Sequence, residues 1–391
     1  MATPAATAWP VADILPADAD QATLVGRAYL PEPVDGPAVV TVRDGGLVDI
    51  TRDIPTIGHL LSEADAAERV RQATGPDIGV VGEIAGNAPS NSAPYLLAPA
   101  DVQAIKACGV TFAQSMLERL IEERAKGDPA GARQWRDELE SGLGVDLGSI
   151  EPGSEAAMAL KRRLSASGQW SQYLEVGLGK DAEIFTKCQP MAAVGAGADI
   201  GIHPASKWNN PEPELVLVVD AAGEIVGATL GNDVNLRDVE GRSALLLGRA
   251  KDNNASTALG PFLRLCDDSY SVDDMRRAEI ELIVAGSDNF RLEETSSLDK
   301  ISRDLSDLAA QAFDCHQYPD GLMLFTGTMF APIQDRDGPG LGFTHHESDI
   351  VSIAESRLGR LVNRVGMASD VPPWSYGVTA LLRNLHRRNV L

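Results

Sequence analysis

The sequence predicts an α+β protein with an antiparallel or mixed β core, and three observations carry that expectation. From Ala182 onward, short strand-like runs separated by Gly, Pro and Asn outnumber helical ones. The connections between those runs are too short for regular βαβ units. Nearer the start, VDGPAVVTVRDGGLVDIT (34–51) reads as two strands joined at an Asp-Gly-Gly turn.

Taken in order, residues 1–95 are expected to form a smaller β-rich N-terminal domain, with a short helix in SEADAAERVRQAT (62–74). GNAPSNSAPYLLAPAD (86–101) is rich in small and turn-forming residues and is read as the linker. The second domain, 96–391, opens with a helical segment over 111–175, where Met116, Leu117, Leu120 and Ile121 share one stripe. A strand-rich core follows over 182–365, including IVGATL, EIELIVAG, GLMLFTGT and DIVSIAE, with helices at GRSALLLGRA and SSLDKISRDLSDLAAQAF. A basic amphipathic helix over 375–391 closes the chain and is expected to dock on the protein itself or on a sister subunit.

Composition narrows the function. With 391 residues and 44% apolar content the chain can bury a large core, and 34 Lys and Arg against 56 Asp and Glu give a formal charge of −22. A field of that sign disfavours nucleic acid and anionic membranes as partners. The N-terminus lacks a signal-peptide pattern and no apolar run reaches spanning length, so a cytoplasmic location is expected. Cys108, Cys188, Cys266 and Cys315 are scattered without a CxxC pair and read as reduced core thiols.

The stretch WNNPEPELVLVVDAAGEIVGATLGNDVNLRD (208–238) feeds carboxylates into apolar strand. In an extended chain Glu212 and Glu214 point to one face, and a hairpin turning at 220–223 returns Asp233 beside them. Clustered carboxylates repel unless a hard divalent cation neutralises them, and an all-oxygen donor set suits magnesium, with manganese as a substitute. The bland alternative is a solvated strand edge, which spacing alone leaves open. GAGADIG (195–201) lacks dinucleotide-loop spacing and runs into HPASKWNNP, so no nucleotide cofactor is expected. Of the adjacent His345 and His346, side chains should point apart, in a polar loop. His203 is a weak candidate for indirect support of the site, Asp238 for capping the following helix, and Arg237 for pairing with a core carboxylate.

Five blocks in order, PEPELVLVV with GATLGNDVNLRD, AKDNNASTALGPF, LMLFTGTMFAP and SRLGRLVNRV, resemble the catalytic domain of the fumarylacetoacetate hydrolase family, on its branch of 2-keto-3-deoxy sugar-acid dehydratases. That resemblance implies a mixed β-roll fold and assembly as a homodimer or homotetramer. It also implies magnesium ligands at Glu212, Glu214 and Asp233, a lysine beside metal and substrate at Lys251, and substrate contacts from Thr326, Gly327 and Thr328 and from Lys187 in EIFTK. The family serines after that block are Ala192 and Ala193 here.

Where the family's hydrolases carry a water-activating histidine and glutamate, the matching GVTFAQSMLE (109–118) keeps Glu118 but has Ser115 in place of histidine. A hydroxyl cannot replace imidazole as a general base, whereas a lone glutamate suffices to remove a proton next to a metal-bound ketone. The expected substrate is a small anionic 2-keto acid, a 2-keto-3-deoxy-pentonate dehydrated to 2,5-dioxopentanoate. Glu118 is the expected base, Lys251 the cation beside developing charge, and Ser115 a group orienting hydroxyl or water. The alternative is hydrolysis of acylpyruvates or 2,4-diketo acids on the same fold.

Overall fold

Sixteen strands organise the computed structural model, which describes residues 14–142, 147–330 and 332–391. In chain order they are Leu24–Leu30 (β1), Gly36–Arg43 (β2), Gly46–Asp49 (β3), Asp77–Val80 (β4), Tyr95–Leu97 (β5), Ala104–Gly109 (β6), Glu183–Cys188 (β7) and Asp199–Ile202 (β8). They continue with Pro213–Val219 (β9), Ile225–Asp233 (β10), Thr257–Leu265 (β11), Glu279–Ala285 (β12), Arg291–Ser297 (β13), Leu322–Phe325 (β14), Ile350–Glu355 (β15) and Gly359–Met367 (β16). Eleven form one sheet, ordered β4-β3-β2-β1-β11-β10-β9-β14-β6-β7 with β5 on β1, and five form a second, ordered β13-β12-β15-β16-β8.

Both sheets are mixed. Most neighbours run antiparallel, while β14 with β6 and β16 with β8 run parallel. The strands β9, β10 and β11 pack across β12, β15 and β16, and the largest apolar cluster, including Leu215, Leu217, Leu230, Ile280, Leu282 and Ile353, fills the space between the sheets. On the other face of the large sheet, Val216, Val218, Leu263 and Phe325 pack with Ile50, Ile57 and Leu60. Alternate residues of β9 thus feed two different apolar layers, as the two-residue period of a strand requires.

The hairpin expected over 34–51 is β2 and β3, turning at Asp44 and Gly45, both at positive φ. The domain boundary expected near residue 95 does not divide the sheet. β1 pairs with β11 and with β5, so strands from the first 95 residues extend the same hydrogen-bonded surface as the later core. The stretch read as linker contains β5, because Tyr95, Leu96 and Leu97 supply three consecutive apolar residues that the turn-forming flanks obscure. The C-terminal helix, Val378–Arg387, docks on its own chain: Asn384 Nδ2 donates to the carbonyls of Val34 and Asp35 at 3.0 Å, and Arg388 Nη1 to that of Pro37 at 2.9 Å. Among the described residues no helix is long and apolar enough to cross a membrane.

Cys108 and Cys188 are buried thiols and Cys266 is partly covered, but Cys315 is exposed, so the expectation of four core thiols is corrected there. Cys315 sits at positive φ in the turn after the Leu305–Phe313 helix, where the chain leaves the core.

The 332–349 loop is pinned by Arg336, whose guanidinium grips both oxygens of buried Asp349 at 2.6 and 2.8 Å and reaches Asp288 at 3.0 Å. Burial alone would raise the Asp349 carboxyl; the Arg336 and His345 contacts outweigh it and hold it at about 2. Stability from this carboxylate is therefore full above its ordinary value of 3.8 and fades as pH falls through about 2. Arg336→Met is expected to cost about 3 kcal/mol at neutral pH in urea unfolding, since it leaves a buried carboxylate without its cation. The deficit should narrow below pH 3.8; a deficit equal at pH 7 and pH 3 would contradict this assignment.

Candidate active site

The β9–β10 hairpin builds the acidic centre by register. Glu214 lies opposite Gly231 and Pro213 opposite Asn232, and one step further the Asp233 amide donates to the Glu212 carbonyl at 2.9 Å. Residues facing each other across antiparallel strands share a face, so Glu212, Glu214 and Asp233 converge. Each offers an oxygen within 4.8 Å of the others, and all three are buried. Gly231 is required opposite Glu214: a Cβ there would stand 2.3 Å from the Phe325 ring and 2.6 Å from Val216.

Cations surround the triad. Lys251 Nζ donates to Glu212 Oε2, and to Asp233 Oδ2 at 3.0 Å. Lys187, fully buried on β7, faces Asp233 Oδ1 at 3.1 Å and donates to the carbonyls of Lys251 and Ser256. Arg119 Nη2 donates to Glu212 Oε1. Burial alone would raise the Glu212 carboxyl, but Lys251 and Arg119 outweigh it and hold it below the usual range. Glu214 has no such partner, and burial, then the charges of Asp233 and Glu212, push its carboxyl well above that range. Among the described residues its one close donor is the Gly327 amide, at 2.6 Å from Oε2. Gly327 has φ of +94, and a Cβ there would lie 2.0 Å from Thr111 Oγ1, so glycine is needed for the amide to reach Glu214.

A hard divalent cation fits this donor set. The ligating atoms are all carboxylate oxygens, and Asp233 Oδ1, though beside Lys187, is buried without an aligned hydrogen bond. Among the described residues this is the one His, Cys, Asp and Glu cluster that could hold a metal ion.

The remaining predicted residues fall around this centre in unequal ways. Thr326 Oγ1 donates to the Leu215 carbonyl at 3.0 Å and Thr328 Oγ1 to that of Pro213 at 3.2 Å, so both hydroxyls brace β9. Ser115 Oγ donates to the Phe112 carbonyl at 2.9 Å and closes the first turn of the Ala113–Ala125 helix. Glu118 carries its charge in two ion pairs: Arg136 Nη2 contacts both its oxygens, at 2.8 and 2.6 Å, and Arg237 Nη2 approaches Oε2 at 2.9 Å. His203 pairs at the surface with Arg249, and Asp238 binds Ser206 Oγ and the Lys207 amide rather than capping a helix. His345 is buried against Asp349 while His346 is half-buried and pairs with Asp337, pointing apart as adjacency predicts.

Reasoning from the sequence missed the network behind Glu118. Arg237 joins Glu118 to Glu122, and Arg119 joins Glu122 to Glu212 and to Glu240. A chain of ion pairs thereby runs from the helix to the acidic triad. One guanidinium serves three carboxylates there, and Glu240, 3.0 Å from Arg119 without hydrogen-bond alignment, is pushed by burial up to about 7. The available signal was Glu118, Arg119 and Glu122 at one-turn spacing beside the apolar stripe.

No family model matches the chain. It is 33% identical over 186 residues to a 2-dehydro-3-deoxy-D-arabinonate dehydratase of Saccharolobus solfataricus, covering 47% of this chain and 58% of that one. Over 203 residues it is 30% identical to a probable 2-keto-3-deoxyxylonate dehydratase of Haloferax volcanii, covering 52% and 66%. Both stretches of likeness thus fall on proteins named as dehydratases of 2-keto-3-deoxy sugar acids. A solved structure of 2-keto-3-deoxy-D-arabinonate dehydratase, complexed with magnesium and 2,5-dioxopentanoate, shares the fold at a TM-score of 0.62 and 20% identity, over 88% of this chain and 99% of that one. The sequence matches span about three fifths of the first curated relative's length and just under two thirds of the second's.

Proposed function

We propose that the protein is a magnesium-dependent dehydratase that converts a 2-keto-3-deoxy-pentonate, of the D-arabinonate or D-xylonate type, to 2,5-dioxopentanoate. The observation that carries this reading is the buried Glu212, Glu214 and Asp233 cluster backed by Lys251. Two relatives named as dehydratases of such acids support the substrate class.

Glu212, Glu214 and Asp233 would hold the ion. When bound, it would polarise the 2-keto group and stabilise negative charge developing beside it. Lys251, kept charged because Asp233, Glu212 and Glu240 outweigh its burial, adds fixed positive potential at the same place. Glu118 accepts a C3 proton once Arg136 yields its place and passes it to the C4 hydroxyl, which departs as water; the C3–C4 alkene left behind gains a proton at C3 and loses one from C5, and the C4–C5 enol so formed tautomerises to the C5 aldehyde. Lys187 fixes Asp233, and the Thr326–Gly327–Thr328 segment sets Glu214 through the Gly327 amide and would receive the substrate carboxylate. Assembly as a homodimer or homotetramer belongs to the same reading and is checked by analytical ultracentrifugation.

The deciding assay incubates magnesium-loaded protein with 2-keto-3-deoxy-D-arabinonate and D-xylonate and, in parallel, with acylpyruvates. Release of 2,5-dioxopentanoate without cleavage of acylpyruvate is the expected outcome. Pyruvate from the acylpyruvate alone would replace elimination by C–C hydrolysis.

A further inference from the structure

A cavity of about 210 Å³ lies against the other side of the Glu118 ion pairs. It is lined by Arg133 and Arg136 of the Pro129–Gly142 helix, by Arg237 and Trp208, and by Ile333 and Leu341 at an exposed apolar rim. Three guanidinium groups thus converge on one small space in a chain whose net charge is −22.

Among the described residues the negative charge nearby is already committed. Asp335, the one carboxylate lining the cavity, accepts the amides of Gly340 and Gly342 at 2.7 and 2.8 Å. Glu118 is shared between Arg136 and Arg237, and Arg237 also donates to Glu122 and to the Pro332 carbonyl. The Arg133 guanidinium has no hydrogen bond among the described residues and acts on Asp335 through its field. An independent observation points the same way. Trp208 is 4% exposed and carries an indole N–H with no partner, while its ring is covered by the Arg237 guanidinium at 4.3 Å. A buried donor without an acceptor is costly, and Trp208 is one of the residues that line the cavity.

We propose that this cavity is a second ligand site, for a small oxyanion of the carboxylate or phosphate class held by Arg133, Arg136 and the Trp208 N–H. Planar guanidinium groups grip such anions through paired hydrogen bonds, and the indole N–H adds a neutral donor. The same anion would compete with Glu118 for Arg136, leaving Glu118 on Arg237 alone.

Isothermal titration of the magnesium-loaded full-length protein with inorganic phosphate, and separately with acetate, tests this. Saturable binding of one or both is expected, and whichever binds assigns the class. Arg133→Gln should weaken it about tenfold, equivalent to one charge-assisted contact. Trp208→Phe, which keeps a ring beneath Arg237, should weaken it several-fold, whereas Lys106→Gln in the cavity lined by Gln189 and Tyr318 should leave it unchanged. The proposal is overturned if neither anion saturates, or if the Arg133 and Trp208 variants bind as tightly as the wild type, which would put the anion on the metal instead. It is equally overturned if the anion competes with the keto acid in steady-state kinetics, which would make the cavity part of the substrate site.

Discussion

Glu214→Gln is expected to abolish magnesium binding and lower turnover about a thousandfold, the rate equivalent of about 4 kcal/mol of lost charge stabilisation. Metal-free, the same variant should be at least as stable as the wild type. Glu214 is the triad member without a cation of its own; its close partner is a backbone amide, which the glutamine carbonyl can still accept. Removing its charge relieves repulsion from Asp233 and Glu212, the interactions that, after burial, raise its carboxyl. Asp233→Asn should behave differently. Lys251 keeps Glu212, but Lys187 is left fully buried with only carbonyl and hydroxyl oxygens around it, which predicts a stability loss of about 3–5 kcal/mol on top of the loss of metal. Calorimetric magnesium titration and urea unfolding of both variants separate the two effects. Equal destabilisation by both, or a Glu214→Gln protein that binds magnesium like the wild type, would remove the metal assignment.

That contrast shows what the sequence made legible. The triad was readable because a strand's two-residue period and one hairpin decide which side chains meet, and both are local properties. Lys251 lies against Glu212 and Asp233, and Arg237 pairs with the buried carboxylates of Glu118 and Glu122. What stayed hidden was long-range. Nothing local says that β1 should pair with β11, more than two hundred residues later, and so the N-terminal strands read as a separate domain while they extend the main sheet. Nor does a helical wheel show that Glu118, Arg119 and Glu122 are buried, because charged residues beside an apolar stripe ordinarily mark a solvated face. Here their partners arrive from Arg136, Arg237, Glu212 and Glu240, and only the assembled fold makes the burial tolerable.

Arg119 is the residue on which that network turns, and its replacement by methionine is expected to cost about 3–5 kcal/mol. After the change Glu212 still has Lys251 and Glu122 still has Arg237, but Glu240 loses its one ion-pair contact among the described residues. The pH dependence follows from the direction of the Glu240 shift. A carboxyl raised from 4.5 to about 7 binds a proton more readily folded than unfolded, so between those values stability falls as pH rises. Without Arg119, which opposes that shift, ionised Glu240 is costlier still. The deficit of Arg119→Met should therefore be largest above pH 7 and shrink toward pH 5 in urea unfolding. Arg119→Lys, which restores charge but not the planar fork reaching Glu122, Glu212 and Glu240 together, should recover only part of the loss. Full recovery by lysine would mean that net charge alone matters there, and a deficit independent of pH would show that Glu240 is not the carboxyl left exposed to the penalty of burial.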